Sequence, residues 1–463
     1  MSSPPIVQYA SRTDVGMRRA ANQDSQAVRM CTDYEEWSRC GHLFVVADGM
    51  GGHAVGDLAS RIAVDTLPHA YFKRDADSIE SRLRSAILAA NKAINDRGRE
   101  NREFEGMGTT CSVLSLSERG ALVGHVGDSR VYRMRRGQIE QLTFDHSLQW
   151  EMIRIGRATA ENVELFHPRN VITRCLGPDA QVQVDVEGPF SVEAGDFFLL
   201  CSDGLTNHVT DVEIGQIVAS LPPSESSRLL INLANCRGGS DNCTVVVVAV
   251  DSYPSVADDP PEAKSTLPAV TVTEVPLAAP ATSSSSALIL SRLAAIGCLF
   301  AGIGLGLTGK LEAAVALVAA AIVAWLISQK LSGKLNPTSR PGHKSRLPSA
   351  SDDPSPLSTS GSLPETFTDE SSSRSSFRAQ SPYRVLVSRL SDSLLSNLAE
   401  VQSQLVQAAR DSGWKVDFEE LTNLNRQAAL AQQNHKQDKA LKTRAKAIDL
   451  LMKELYQRSR TAS

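Results

Sequence analysis

The sequence predicts an α+β domain of sheets layered with helices over residues 6–251, and two observations predict it. Short apolar, β-rich runs at 43–47, 111–116, 121–126, 131–134, 197–201 and 244–250 are bunched around hairpin turns. Amphipathic segments separate the bunches, with Leu83, Ile87, Ala90 and Ile94 at helical spacing. That grouping favours stacked layers over a strict strand-helix-strand alternation.

Beyond this domain the composition changes several times. Residues 252–286 are rich in Pro, Ala, Ser and Thr and have little to bury, so they are expected to form a linker. Residues 287–331 hold two uncharged runs: 17 residues at 293–309 and 15 at 313–327, with Lys310 and Glu312 between them. Each run is short for a membrane span of roughly 17–25 residues, and together they suit a transmembrane helical hairpin. Arg292 flanks one end, and Lys330, Lys334, Arg340, Lys344 and Arg346 follow the other. A hairpin with both outer ends in the cytoplasm satisfies the bias of basic residues toward that side.

A second Ser/Pro-rich linker is expected over 332–382, and a helical hairpin or coiled coil over 383–460. Leu390, Leu394, Leu398, Val401, Leu405 and Ala408 form one apolar stripe, and Gly413 is a stop. Asp417 with Glu420 resembles a capping box. Leu421, Leu424, Ala428 and Ala431 begin a second stripe, continued by Leu441, Ile448 and Leu455 at seven-residue steps. Nothing here is catalytic, and the pattern fits a helical pair packing only on itself at least as well as a dedicated partner-binding module.

Bulk charge chooses no partner. With 48 Lys+Arg against 52 Asp+Glu the net charge is -4, which excludes a protein that coats nucleic acid electrostatically. The 8 cysteines contain no C-x-x-C pair and suggest a reducing compartment; Cys31 and Cys40 are spaced so that a bridge is conceivable. Residues 1–10 lack the basic and apolar regions of a secretory signal.

The chemistry is carried by carboxylates at the ends of strands. The runs Leu43-Phe44-Val45-Val46-Ala47-Asp48-Gly49 and Phe197-Phe198-Leu199-Leu200-Cys201-Ser202-Asp203-Gly204 each end an apolar strand in Asp-Gly. A strand buried on both faces delivers its terminal Asp to the sheet edge, where the glycine permits a sharp turn and close approach of a ligand. Asp241 in Gly239-Ser240-Asp241-Asn242 precedes another strand, and Asp128 in Gly127-Asp128-Ser129-Arg130 lies between two. If these four carboxylates converge, oxygen ligation without a His/Cys set favours Mg2+ or Mn2+ over zinc.

These segments, with Gly16-Met17-Arg18-Arg19-Ala20-Ala21-Asn22-Gln23-Asp24, Asp48-Gly49-Met50-Gly51-Gly52-His53 and Gly108-Thr109-Thr110, stand in one order along residues 6–251. The series resembles the motifs of the bacterial metal-dependent PPM, or protein phosphatase 2C-like, Ser/Thr phosphatases. The resemblance implies a four-layer α-β-β-α sandwich with two metal ions in a cleft at one edge of the sheets. It implies that Asp48 bridges both ions, that the Gly49 carbonyl assists at one, and that Asp203 and Asp241 complete the other. Asp128 matches the ligand of a third, weaker ion, and Arg19 the side chain that grips substrate phosphate, a task suited to its planar charged fork. The activity implied is hydrolysis of phosphoserine and phosphothreonine monoesters by a metal-bridging hydroxide, with phosphoproteins as substrates and Ser/Thr kinases and their targets as partners.

Gln23 stands where many members carry an acid, and Asp24 is expected to support the ligands from behind. His53 is assigned a structural role. Asp145-His146-Ser147 has the residue types of a hydrolase triad but no nucleophile elbow, and it begins a segment, 146–180, that the resemblance makes a flap. Arg174 falls near that flap. Two other functions fit parts of the pattern: a non-catalytic phosphoprotein-binding membrane scaffold, which the joint presence of Arg19, Asp48, Asp203 and Asp241 opposes, and a partner-switch phosphatase acting on a regulatory domain.

Overall fold

The computed structural model describes residues 4–51, 55–73, 78–159, 171–254 and 385–462. The expected membrane hairpin, the first linker beyond residue 254, the second linker and His53 lie outside these residues. Among the described residues no helix is long and apolar enough to cross a membrane.

Two antiparallel sheets form the centre. One runs β1 (Val7–Asp14), β11 (Cys243–Val250), β10 (Phe197–Cys201), β7 (Arg130–Arg135), β8 (Gln138–Gln141) and β12 (Val385–Val387). The other runs β2 (Asp24–Arg29), β3 (His42–Met50), β5 (Cys111–Ser117), β6 (Gly120–Val126) and β9 (Asp185–Phe190), with the short β4 (Gly108–Thr109) beside β3.

Alternation along β3 shows why the layers stack. Phe44 and Val46 point into the space between the sheets, against Phe198, Leu200, Val246 and Val248 of the first sheet. Leu43, Val45 and Ala47 point the other way, against Ala59, Ala63 and Leu67 of α2 (Val55–Lys73) and Leu83, Ile87 and Ile94 of α3 (Ile79–Glu100). A strand covered on both faces reads as an unbroken apolar run. The outer face of the first sheet, through Leu199, Val245 and Val247, is covered by α6 (Asp211–Ser220) and α7 (Pro223–Cys236). Between these elements lie α1 (Tyr34–Cys40), α4 (Leu148–Arg154) and α5 (Asp203–Thr206). The layered sandwich expected from the sequence is present, and each predicted strand run lies in a strand.

The C-terminal segment differs from expectation. Among the described residues it is a strand and three helices, α8 (Asp392–Asp411), α9 (Phe418–Gln433) and α10 (Gln437–Ala462), and it packs on the layered domain. β12 pairs with β8 and extends the first sheet, Leu386 opposite Ile139. Leu394, Leu398, Leu441, Ile448 and Leu451 join one core with Ile214, Leu229 and Leu233. The seven-residue series Leu441, Ile448, Leu455 lies wholly on α10 and does not continue the helix that carries Leu421 and Ala431, because the chain turns at His435, whose φ is 55°. Gly413 does stop α8, at φ 60°, and the Asp417 carboxylate caps α9 by accepting from the amides of Glu419 and Glu420. Cys31 and Cys40 are buried free thiols.

Candidate active site

Strand pairing brings the expected carboxylates to one end of the sandwich. Asp24 and Asp48 face each other across β2 and β3. The Asp48 amide donates to Thr110 Oγ1 at 2.9 Å, and its carbonyl accepts from the Thr110 amide at 2.8 Å and from Thr109 Oγ1 at 2.9 Å. Gly49 admits no side chain: a Cβ there would stand 2.1 Å from the Gly56 carbonyl oxygen. Close packing of β3 on the start of α2 therefore requires this glycine.

Asp203 opens α5 directly after β10. A Cβ on the following Gly204 would stand 1.9 Å from the Asn242 carbonyl oxygen, so this glycine lets the β10 end lie against the loop that carries Asp241. Asn242 ties that loop to the chain near Arg19: its Nδ2 donates to the carbonyls of Val15 and Ala21, both at 2.9 Å, and its Oδ1 accepts from the Gln23 amide at 2.8 Å. Arg19 Nη2 then reaches Asp241 Oδ2 at 2.7 Å.

Asp48, Asp128, Asp203 and Asp241 are each partly exposed at this edge, while Asp24 lies buried behind them. Burial, then the charges of Asp24, Asp203, Asp128 and Asp241, holds the Asp48 carboxyl well above the usual carboxylate range. Burial, then Asp203 and Asp145, pushes Asp128 up to about 8. Burial and Asp241 raise Asp203 to about 6. Burial takes Asp24 to about 7 against the pull of hydrogen bonds from Ser202 and Thr244. Of the four carboxylates singled out in the sequence, Asp128, Asp203 and Asp241 thus all oppose ionisation of Asp48.

The residues present fit hard cations. Asp203 Oδ1 and Asp24 Oδ1 are buried oxygens without a hydrogen-bond donor, all the candidate donors are oxygens, and their mutual repulsion is relieved by positive charge. The side chains do not chelate unaided: among the described residues no three Asp, Glu, His or Cys groups are gathered tightly enough to hold an ion by themselves. Backbone carbonyl and water ligands would have to complete the shell.

The Asp145-His146-Ser147 run is not a relay. Asp145 accepts from Arg130 Nη2 at 2.7 Å, Trp150 Nε1 at 2.7 Å and Gln141 Nε2 at 2.9 Å. His146 Nδ1 accepts from the Gly127 amide at 3.0 Å, which leaves Nε2 to donate to Asp185 Oδ2 at 2.9 Å. Ser147 caps α4. Arg174 also holds Asp185, at 3.0 Å, so it stands behind the Asp128 loop.

Sequence reasoning missed several supporting groups. Ser202 Oγ donates to Asp24 Oδ2 at 2.7 Å and accepts from the Thr244 amide at 2.9 Å, joining the two sheets beneath the carboxylates. His208 Nε2 lies 2.9 Å from Ser240 Oγ, next to Asp241. Ser202 lay inside a quoted motif, whereas nothing in the sequence marked His208.

Residues 18–229 match the family Protein phosphatase 2C. Over 244 residues the chain is 38% identical to Protein phosphatase PhpP of Streptococcus pneumoniae, spanning 52% of this chain and 96% of that one. Over 247 residues it is 38% identical to Serine/threonine phosphatase stp of Listeria monocytogenes, spanning 52% and 94%. It is also similar, at 34% identity and a TM-score of 0.47 over 53% of this chain and 99% of the other, to the crystal structure of the Mycobacterium tuberculosis serine/threonine phosphatase PstP/Ppp.

Proposed function

The chain belongs to the protein phosphatase 2C family, the metal-dependent protein serine/threonine phosphatases of the bacterial PPM type, and we propose specific roles for its residues in that activity. The observation that carries the assignment is the set of facing carboxylates at strand ends with Arg19 beside them. Asp48, the Gly49 carbonyl, Asp203 and Asp241 would hold two Mn2+ or Mg2+ ions, and Asp128 a third. When bound, such ions supply an activated water and neutralise charge on the phosphoryl oxygens.

The protein's own groups do the rest. Arg19 is 48% exposed, and its guanidinium can exchange the Asp241 carboxylate for two phosphate oxygens, which orients the monoester for in-line attack. Thr109, Thr110 and Ser202 hold the backbone of Asp48 and the carboxylate of Asp24, so the donors keep their places as ligands come and go. Asn207 Nδ2, 3.1 Å from Asp203 Oδ2, fixes that carboxylate while its other oxygen remains available.

Residues 287–331 are proposed to anchor the enzyme in a membrane as a hairpin, with the phosphatase domain and C-terminal helices in the cytoplasm. Phosphoproteins there, including Ser/Thr kinases and their targets, are the proposed substrates. The uncharged runs and their basic flank support this reading. Phosphate release from a phosphothreonine peptide by the full chain, with and without Mn2+, tests the chemistry. Metal-dependent release that is lost in Asp203→Asn is expected, and full activity in that variant overturns the ligand assignment. A cytoplasm-dependent reporter fused to each end tests the topology: signal from both ends is expected, and signal from one end alone overturns the hairpin.

A further inference from the structure

The C-terminal helices lie beyond residues 18–229, the part matched by the family, yet they reach the elements that position Arg19. Helix α10 runs along α7. Lys442 Nζ meets Glu225 Oε1 at 3.2 Å, Arg228 Nη1 meets Asp449 Oδ2 at 3.0 Å, and Met452 Sδ lies 3.2 Å from Cys236 Sγ. Glu225, Arg228, Asn232 and Asn235 follow one face of α7 at steps of three and four residues. The last contact of that face is polar: Tyr456 Oη donates to Asn232 Oδ1 at 3.0 Å and accepts from Asn235 Nδ2 at 2.9 Å.

Asn235 continues the connection. Its Nδ2 donates its other hydrogen to Asp14 Oδ1 at 2.9 Å, and the same oxygen accepts from the Gly16 amide at 2.9 Å. The next two amides, of Met17 and Arg18, both donate to the Gly239 carbonyl, at 2.8 and 3.1 Å, while the Gly239 amide donates to Ala234 at the end of α7 at 3.0 Å. There is no slack in this turn. Gly16 has φ 81°, and a Cβ there would stand 2.2 Å from the Asp241 carbonyl oxygen. The turn at 16–18 and the loop at 239–241, bonded together in this way, bring Arg19 and Asp241 to each other.

We propose that Tyr456 is a positioning residue for Arg19, acting through Asn235 and Asp14 on the turn that carries the guanidinium. The proposal rests on the reading of Arg19 as the group that grips substrate phosphate. Without the phenol oxygen a hydrogen of Asn235 and the oxygen of Asn232 lose their partner, and in a buried setting both side chains move to find another. Movement of Asn235 releases Asp14 and loosens the Arg19 turn. The end of α10 is then part of the substrate-binding apparatus, and whatever separates Tyr456 from Asn235 weakens phosphate capture.

The test compares the full chain with Tyr456→Phe on a phosphothreonine peptide. KM is expected to rise about fivefold with kcat within about twofold, and the inhibition constant of inorganic phosphate to rise by the same factor as KM. In an Arg19→Ala background the substitution is expected to leave KM where that background puts it. Arg228→Met, which cuts the same helix interface at another point, is expected to lower the unfolding midpoint without moving KM. A Tyr456→Phe enzyme with lowered stability and unchanged KM overturns the proposal. So does an equal KM rise in the Arg19→Ala background, or an equal rise in Arg228→Met. An Arg19→Ala enzyme whose own KM matches the parent overturns the reading of Arg19 and the proposal with it.

Discussion

Two clusters of ionisable groups sit within three residues of each other in the Gly127-Asp128-Ser129-Arg130 turn, and they follow opposite rules. Asp128 belongs to the cleft, where burial and like charges raise the carboxyls of Asp24, Asp48, Asp128 and Asp203 together. Arg130 belongs to a cluster in which charges and polar groups find partners: its guanidinium and the Trp150 indole hold Asp145, and Tyr132 and Arg130 both approach Asp211. A little further on, Asp185 is held by His146 and Arg174. The first cluster stores repulsion that a cation can relieve, and so it reads as a binding site. The second spends its charges on one another, and so it reads as a frame.

Breaking the frame has the largest expected effect on folding. Asp145→Ala removes the forked partner of Arg130, which is 15% exposed, leaves it only Tyr132 and the more distant Asp211, and is expected to cost about 3 kcal/mol in denaturant unfolding, with the remaining folded enzyme still metal-dependent. Breaking the cleft should do the reverse. Asp203→Asn is expected to lower kcat/KM by roughly 100-fold or more, while the metal-free protein unfolds at the same or a higher temperature because one repelling charge is gone. A stability loss in Asp203→Asn comparable to that in Asp145→Ala would erase the distinction between the clusters.

Acid sharpens it further. Burial alone would raise the Asp185 carboxyl, but its bonds from His146 and Arg174 depress it to about 2, below the ordinary 3.8. A depressed carboxyl stabilises the fold above its unfolded value and loses that contribution as pH falls. Asp185 therefore contributes about 2 kcal/mol above pH 4, lost between about pH 4 and 2. In Asp185→Asn the decline in stability over that window is expected to flatten, as followed by urea unfolding at several pH values. The smallest effect is expected for Arg19→Lys: the charge stays but the fork is lost, so KM should rise about tenfold with stability unchanged.

Legibility of these two clusters in the sequence was unequal. Asp48 and Asp203 could be placed because each ends a run buried on both faces and is followed by a glycine whose lack of a side chain is required, against Gly56 in one case and Asn242 in the other. The metal-facing half of the site was therefore readable. The frame was not, because nothing in the identity of Asp145 tells that Arg130, across a hairpin, will claim it. Strands β1 and β2 also escaped notice: Val7–Asp14 and Asp24–Arg29 are half-exposed and lack a clean alternation. The apolar stripes at the C-terminus announced burial correctly but not what covers them. They close over α6, α7 and the sheet as well as over each other, and a left-handed residue at His435 separates the stripe over 421–431 from its expected continuation at Leu441.

Thermal unfolding of the full chain in a chelator and in Mn2+, beside Asp48→Asn, tests most directly the claim that the facing carboxylates await a cation. Mn2+ is expected to raise the midpoint of the parent and leave Asp48→Asn unmoved, with the variant at least as stable as the parent in the chelator. An unchanged midpoint in the parent, or an equal rise in both proteins, would contradict it.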